Sequence, residues 1–162
     1  MRQLTIRQDI QCPVDTFWQL MLDEAYVKKL YLTDLAFKEL EVLQLTDTVR
    51  RLRCVPKLNM PGPVMKLLGD RFHYEEQGTF DPSRGQWHWK LLPSALAGKV
   101  RVEGTIRVEK VGDDQCRRID EATMEAKVFG VGKLLESSTE KEVRRTFEIE
   151  AAFMNRWVAK ST

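Results

Sequence analysis

Residues 99–111 read Lys99-Val100-Arg101-Val102-Glu103-Gly104-Thr105-Ile106-Arg107-Val108-Glu109-Lys110-Val111. Val100, Val102, Ile106 and Val108 fall on one side of a two-residue repeat; Arg101, Glu103, Thr105, Arg107 and Glu109 fall on the other. That alternation predicts a long strand with one face in the core and one in water. Gly112-Asp113-Asp114 follows as a tight turn, and Gln115–Val128 reads as the returning strand. Phe129-Gly130-Val131-Gly132 ends the sheet, and from Lys133 to Lys160 there is neither Gly nor Pro while helix formers dominate. A helix of about 28 residues would run about 42 Å at roughly 1.5 Å per residue, the length of a long curved sheet.

Working back toward the N-terminus, Leu4, Ile6 and Ile10 alternate with Thr5, Arg7 and Asp9 as a first strand, which Pro13 breaks. Asp15 is placed to cap a short helix from Thr16 to Leu22, and a second short helix is expected from Asp23 or Glu24 to Leu32. Strands are expected at Leu35–Leu45, Thr48–Val55, Arg71–Phe80 and Gln86–Leu92. The first two are separated by Thr46-Asp47, the last two by Asp81-Pro82-Ser83-Arg84-Gly85. The pattern is α+β: a seven-stranded curved antiparallel sheet, two short helices after strand one and a long C-terminal helix. With no linker, repeat or low-complexity segment, residues 1–162 read as one domain.

Composition excludes several function classes. The 162 residues are 43% hydrophobic and 31% charged, with 26 basic against 24 acidic side chains and a net charge of +2. This balance gives no general field for nucleic acid. Arg50-Arg51-Leu52-Arg53 reads as a solvated strand face. Cys12, Cys54 and Cys116 are far apart in sequence and lack metal-site spacing, so they are expected to be small buried thiols rather than disulfides or ligands. His73 and His88 fall on the strand faces opposite the aromatic residues and have no partner at metal spacing. No metal and no cofactor are expected. The N-terminus lacks a leader-like apolar run, and no stretch approaches the roughly 20 apolar residues of a span. A cytoplasmic protein is expected.

The two ends of the predicted meander differ. The turns at Thr46-Asp47, Asp81–Gly85 and Gly112–Asp114 share one end and are short and polar. The connections Pro56–Gly69, Pro93–Gly98 and Phe129–Gly132 share the other end and are apolar. Loops normally run through solvent, so these either cap the core or form a greasy portal built on Met60, Val64, Met65, Leu68 and Leu96. The final helix adds a second hint. Glu136–Glu142 contains no large apolar residue, as at a cavity mouth or where a helix projects past the sheet. Among inward-facing positions Glu76 falls mid-strand and is the candidate polar anchor of a cavity. Arg118 and Asp120 lie near the polar turns, where solvation would account for them.

The order of strand, two short helices, six-stranded meander and long helix resembles the helix-grip fold of the START-like (SRPBCC) superfamily, which includes the birch-pollen-allergen and polyketide-cyclase families. It is similar above all to a bacterial branch known only as a domain of unknown function. The residues carrying the resemblance are Pro13–Trp18, Gly98–Ile106 and Gly130–Glu136. The resemblance implies a cavity between sheet and long helix that holds an apolar ligand. The cavity wall is then expected from Phe72, Tyr74, Glu76, Trp87, Trp89, Val102, Met124, Phe147 and Phe153.

Three functions compete at this stage. The first is a non-catalytic carrier or sensor of a hydrophobic small molecule or lipid, with transient membrane-surface contact at the portal. The second is a polyketide-cyclase-like or hydrolase enzyme using the same cavity, with Tyr74 and Glu76 as its polar groups. The third is a protein-interaction module using the apolar rim. No nucleophile motif or phosphate-cradling loop is present, so no catalytic residue is assigned.

Overall fold

The computed structural model describes residues 1–160. β1 (Arg2–Ile10) leads into α1 (Val14–Met21), α2 (Glu24–Lys29) and a π-helical turn (Leu30–Asp34). β2 (Glu39–Leu45) and β3 (Val49–Val55) follow, then α3 (Gly62–Leu68). β4 (Tyr74–Asp81), β5 (Gln86–Pro93), β6 (Val100–Gly112) and β7 (Gln115–Ala126) complete the meander, and α4 (Gly132–Lys160) closes the chain. The sheet order is β1-β7-β6-β5-β4-β3-β2, with every pair antiparallel. This is the α+β arrangement expected from the alternation in β6 and the unbroken helical run of α4.

Several boundaries shift for local reasons. α1 begins at Val14, with Pro13 in the capping position, so Asp15 sits inside the first turn and does not cap it. Asp23 does cap α2, accepting the Tyr26 N–H at 2.8 Å. The expected strand over Leu35–Lys38 is absent. Ala36 takes a left-handed backbone at φ 55°, and the Phe37 N–H turns back to the Tyr31 carbonyl at 2.9 Å. Strand pairing therefore starts at Glu39. Arg71–His73 is also outside the sheet, stitched to the next connection by Ser94 N–H donating to the His73 carbonyl at 2.9 Å. Cys12 and Cys116, distant in sequence, are brought together as free buried thiols.

α4 does not lie over the middle of the sheet. It packs against β1 and β7 at one side. Asn155 fixes its C-terminal half to the end of β1, accepting the Gln11 N–H at 2.8 Å and donating to the Asp9 carbonyl at 3.2 Å. Glu136 anchors its first turns by accepting the Ala126 N–H at 2.8 Å. Val143, Phe147, Ala151, Met154 and Val158 are buried along the helix at three- and four-residue spacing. Hollow space is left over β3 to β6, between the inner sheet face and the flank of the helix that overhangs it.

Two glycines set the shape of that inner sheet face. A Cβ on Gly78 would overlap the Trp87 indole, and one on Gly104 would overlap the Glu121 carbonyl oxygen and crowd the Trp89 indole. Both indoles therefore lie down on the sheet over residues without side chains. Trp87 is 1% exposed and Trp89 8%.

A candidate ligand cavity with a charged inner end

The space beneath α4 is a cavity of about 150 Å³. Its floor is Trp87, Trp89, Leu91, Val102 and Ile106 from β5 and β6, with Tyr74 and Glu76 from β4. Its roof is one stripe of α4: Leu135, Thr139, Glu142, Val143, Thr146, Phe147 and Glu150. Thr139 and Thr146 stand where a filled core would place Leu or Ile, and their small side chains leave room. The Glu136–Glu142 segment is thus partly cavity roof, through Thr139 and Glu142, and partly an anchor to the end of the sheet, through Glu136.

The mouth lies among the apolar connections. Leu58, Met60 and Leu68 come from the β3–β4 connection, Phe72 from just before β4, and Ala95 and Leu96 from the β5–β6 connection. All six are half-buried. Beyond them, Phe129 at the β7–α4 junction is fully exposed, and Met65 and Leu134 are also exposed. The same rim is basic. Its three connections and the first turn of α4 carry Lys57, Lys66, Arg71, Lys99, Lys127 and Lys133, against Asp70 alone. All six cations are exposed; Lys127 lies 3.8 Å from Glu125, and the other five form no ion pair among the described residues.

The inner end, under α1 and α2, is charged. Arg50 reaches in from β3 and is 5% exposed. It donates to the Met21 carbonyl at 2.9 Å, to Glu76 Oε2 at 2.9 Å and to the Tyr31 hydroxyl at 3.3 Å, with its guanidinium 5.1 Å from the Trp87 ring centroid. Tyr31 donates its hydroxyl to both Glu76 oxygens at 2.7–2.8 Å. Burial first, then the Glu76 charge, pushes the Tyr31 phenol well up, so it stays a donor. The π-helical turn is what aims Tyr31 inward, since Leu30 and Tyr31 are its buried residues.

A second cluster adjoins the first. Arg118 on β7 is 1% exposed and grips Asp120 with two hydrogen bonds, at 2.8 and 3.0 Å, and Glu150 Oε1 with a third at 2.7 Å. The ring centroids of Phe17 and Phe147 lie 5.9 and 5.4 Å from its guanidinium. Burial raises the Asp120 and Glu150 pKa values, opposed by Arg118; the Glu76 charge raises that of Glu150 further.

Most of the sequence-derived wall residues meet at this cavity: Phe72, Tyr74, Glu76, Trp87, Trp89, Val102 and Phe147, with Met60, Leu68 and Leu96 at the mouth. Four residues do not line it. Met124 is on β7, beneath the helix, and is sealed in the core at 1% exposure. Phe153 lies beyond Glu150 and stacks on Tyr26 and Trp157. Val64 faces inward from α3 and is fully buried, while Met65 on the next position points to solvent. Two further expectations are corrected. Arg50 is not on a solvated face, and Arg118 and Asp120 are not solvated but buried and paired. Sequence reasoning missed Arg50, Tyr31 and Glu150. For Arg50 the signal was there: it shares the face of Leu52 and Cys54 by simple alternation. No cluster of His, Cys, Asp and Glu among the described residues could hold a metal. No described helix is long and apolar enough to cross a membrane.

A sheet gripping a long helix over a hollow defines the START-like, or SRPBCC, fold, and solved structures share it. The Zhui aromatase/cyclase from Streptomyces sp. R1128 superposes with a TM-score of 0.71 at 14% identity, over 98% of this chain and 94% of that one. The norcoclaurine synthase from Thalictrum flavum, in complex with dopamine and hydroxybenzaldehyde, gives 0.70 at 16% identity, over 99% and 88%. A START superfamily protein from Mycobacterium smegmatis gives 0.61 at 13% identity, over 99% of both chains. At such identities the likeness is one of fold. Residues 5–158 match the family described as protein of unknown function (DUF2505), and the chain belongs to that family. No curated protein matches it in sequence.

Proposed function

We propose that this domain binds a small, largely apolar molecule in the cavity between sheet and α4, as a non-catalytic carrier or sensor. The observation that carries this reading is the 150 Å³ hollow itself, walled by aromatic and aliphatic side chains and reached past a half-buried apolar mouth. An apolar space of about that volume accepts a guest the size of benzene, so the ligand is a single ring or a short chain. A long-chain lipid would require the mouth to open. Ligand-binding relatives of the same fold support the reading at the level of fold. Native mass spectrometry of protein purified from cells tests it. A bound small molecule released on denaturation is the expected result; bare protein from every preparation, with no uptake of added toluene, counts against it.

The mouth favours an anionic bilayer as the reservoir from which such a guest is drawn. Phe129 offers a fully exposed aromatic anchor, and the six rim cations offer charge complementarity. Capture of a stoichiometric protein partner through the same rim, with no vesicle binding, would replace this part of the reading.

A cyclase or hydrolase in the same cavity is the second reading. It is favoured by the Tyr74 hydroxyl, which lines the cavity and makes no hydrogen bond among the described residues, beside the Glu76 carboxylate. Turnover of an aromatic polyketide or aryl ester, lost in Tyr74→Phe and Glu76→Gln, would establish it.

A further inference from the structure

We propose that the inner end of the cavity is built for a protonated nitrogen, so that the guest is a single-ring or short-chain amine. The inference rests on the cavity reading above and names the chemical class of its ligand.

Five ionisable groups meet at that end: Arg50 and Arg118 against Glu76, Asp120 and Glu150. Two cations face three carboxylates, so one negative charge is left over at this end; the other charged residues bordering the cavity are the Glu142–Arg145 pair of α4, at 3.0 Å, and Lys57 on the β3–β4 connection at the mouth. Both guanidiniums are committed. Arg50 serves Glu76, Tyr31 and the Met21 carbonyl, and Arg118 serves both oxygens of Asp120 and one of Glu150. Each oxygen of Asp120 and of Glu76 accepts a hydrogen bond. Glu150 Oε2 accepts none among the described residues, although Glu150 lines the cavity and its side chain is only 14% exposed. The surplus charge therefore rests on a carboxylate that borders the hollow.

An uncompensated carboxylate in an apolar hollow is costly, and two things relieve it: a proton or a cation. Burial, opposed by Arg118 and helped by the Glu76 charge, raises the Glu150 pKa, the direction in which a proton gives that relief. An ammonium entering the cavity would take over that role and release the proton. It would sit between Glu150 on the roof and Glu76 on the floor, beside the aromatic rings of Trp87, Trp89 and Phe147. Acids are disfavoured there by the same surplus. A second, independent feature points to a ligand with polar atoms. The Trp89 indole N–H and the Arg50 Nε–H are buried without an acceptor, and both residues line the cavity at 8% and 5% exposure. Neither nitrogen presents surface to the hollow, so a small side-chain adjustment accompanies any oxygen that a guest offers them, as in an amino alcohol or a hydroxylated arylamine.

The test compares four ring-sized probes by isothermal titration: ethylbenzene, phenethylamine, 2-amino-1-phenylethanol and 3-phenylpropionate. Both amines are expected to bind at least tenfold more tightly than ethylbenzene, with proton release below neutral pH, and the amino alcohol more tightly than phenethylamine. The acid is expected to bind worst. In Glu150→Gln, the preference for phenethylamine over ethylbenzene should fall at least tenfold; Glu76→Gln, checked by thermal melting, serves as the second variant. Ethylbenzene binding as well as phenethylamine, or 3-phenylpropionate binding better, overturns the amine proposal and leaves the cavity standing. An unchanged preference in both variants also overturns it. If no probe binds, the cavity reading fails first.

Discussion

Arg118 on β7 holds Glu150 on α4 at 2.7 Å, and through this one bond the long helix is tied to the inner sheet face at the closed end of the cavity. Among the described residues the same guanidinium is the sole ion-pair partner of Asp120, which is fully buried. Arg118→Met should therefore leave two buried carboxylates uncompensated. Loss of a buried pair's partner typically costs ~3–5 kcal/mol, and urea denaturation is expected to show a fall of that order. A change below ~1 kcal/mol would mean that Arg118 is not the keystone of the cluster.

Glu150→Gln should behave in the opposite way. A glutamine oxygen can still accept from Arg118, and the surplus charge is gone. Stability is expected to stay level or rise by about 1 kcal/mol, the usual scale of one hydrogen bond's net effect. A loss of several kcal/mol on the same assay would show that the Glu150 charge is compensated by more than its bond to Arg118.

The pH dependence of stability follows from the same group. Burial raises the Glu150 pKa, against the pull of Arg118 and with the help of Glu76, so the folded state holds this proton more tightly than the unfolded chain does. Its contribution is full below about pH 4, where unfolded carboxyls are protonated, and is lost as pH climbs through the raised folded value. Asp120 acts in the same direction, while Glu75, Asp81 and Glu136, whose pKa values are lowered, act in the other. The clean readout is thus a difference: between about pH 4 and pH 7 the wild type should lose stability relative to Glu150→Gln. A wild-type-minus-variant gap independent of pH contradicts the shift.

How much of this was legible beforehand differs between fold and site. The strand alternation of Val100, Val102, Ile106 and Val108, and a C-terminal run free of Gly and Pro, carry the architecture because period and length are local properties. The aromatic floor of Trp87 and Trp89 was legible for the same reason. The charged end was not. Arg118 and Glu150 are joined only by tertiary packing, and Glu150 sits in a helix whose apolar pattern marks Phe147 and Phe153 instead. Met124 was misplaced because nothing in the sequence says that α4 rests over β1 and β7 rather than over the sheet's centre. Arg50 is masked by its neighbours: Arg51 and Arg53 are partly exposed, and a basic run of this kind reads as one solvated unit.

Gly78→Ala and Gly104→Ala test how the cavity floor is made. Each Cβ would collide with something that cannot yield: the buried Trp87 indole in one case and the Glu121 backbone carbonyl in the other. Overpacking of this kind costs ~1–3 kcal/mol. Shifted tryptophan fluorescence should accompany the loss, since the indoles must leave the sheet. Wild-type melting and emission in both variants would rule out the flat stacking described here.

Docking at the rim has its own signature. Cosedimentation with vesicles rich in phosphatidylglycerol is expected, weakening as salt is raised because the rim cations are exposed. Phe129→Ser and a Lys99→Glu, Lys133→Glu pair should each reduce it several-fold without altering the melting temperature. Equal binding to neutral phosphatidylcholine vesicles would refute the electrostatic part.

The most direct measurement is a titration of ethylbenzene into wild type and Thr146→Phe, followed by the fluorescence of Trp87 and Trp89. Thr146 roofs the hollow, and a phenyl group in its place should fill it. Saturable one-to-one binding in the wild type and none in a folded Thr146→Phe is the predicted result. No saturable signal in the wild type, or equal binding in both proteins, would contradict the account.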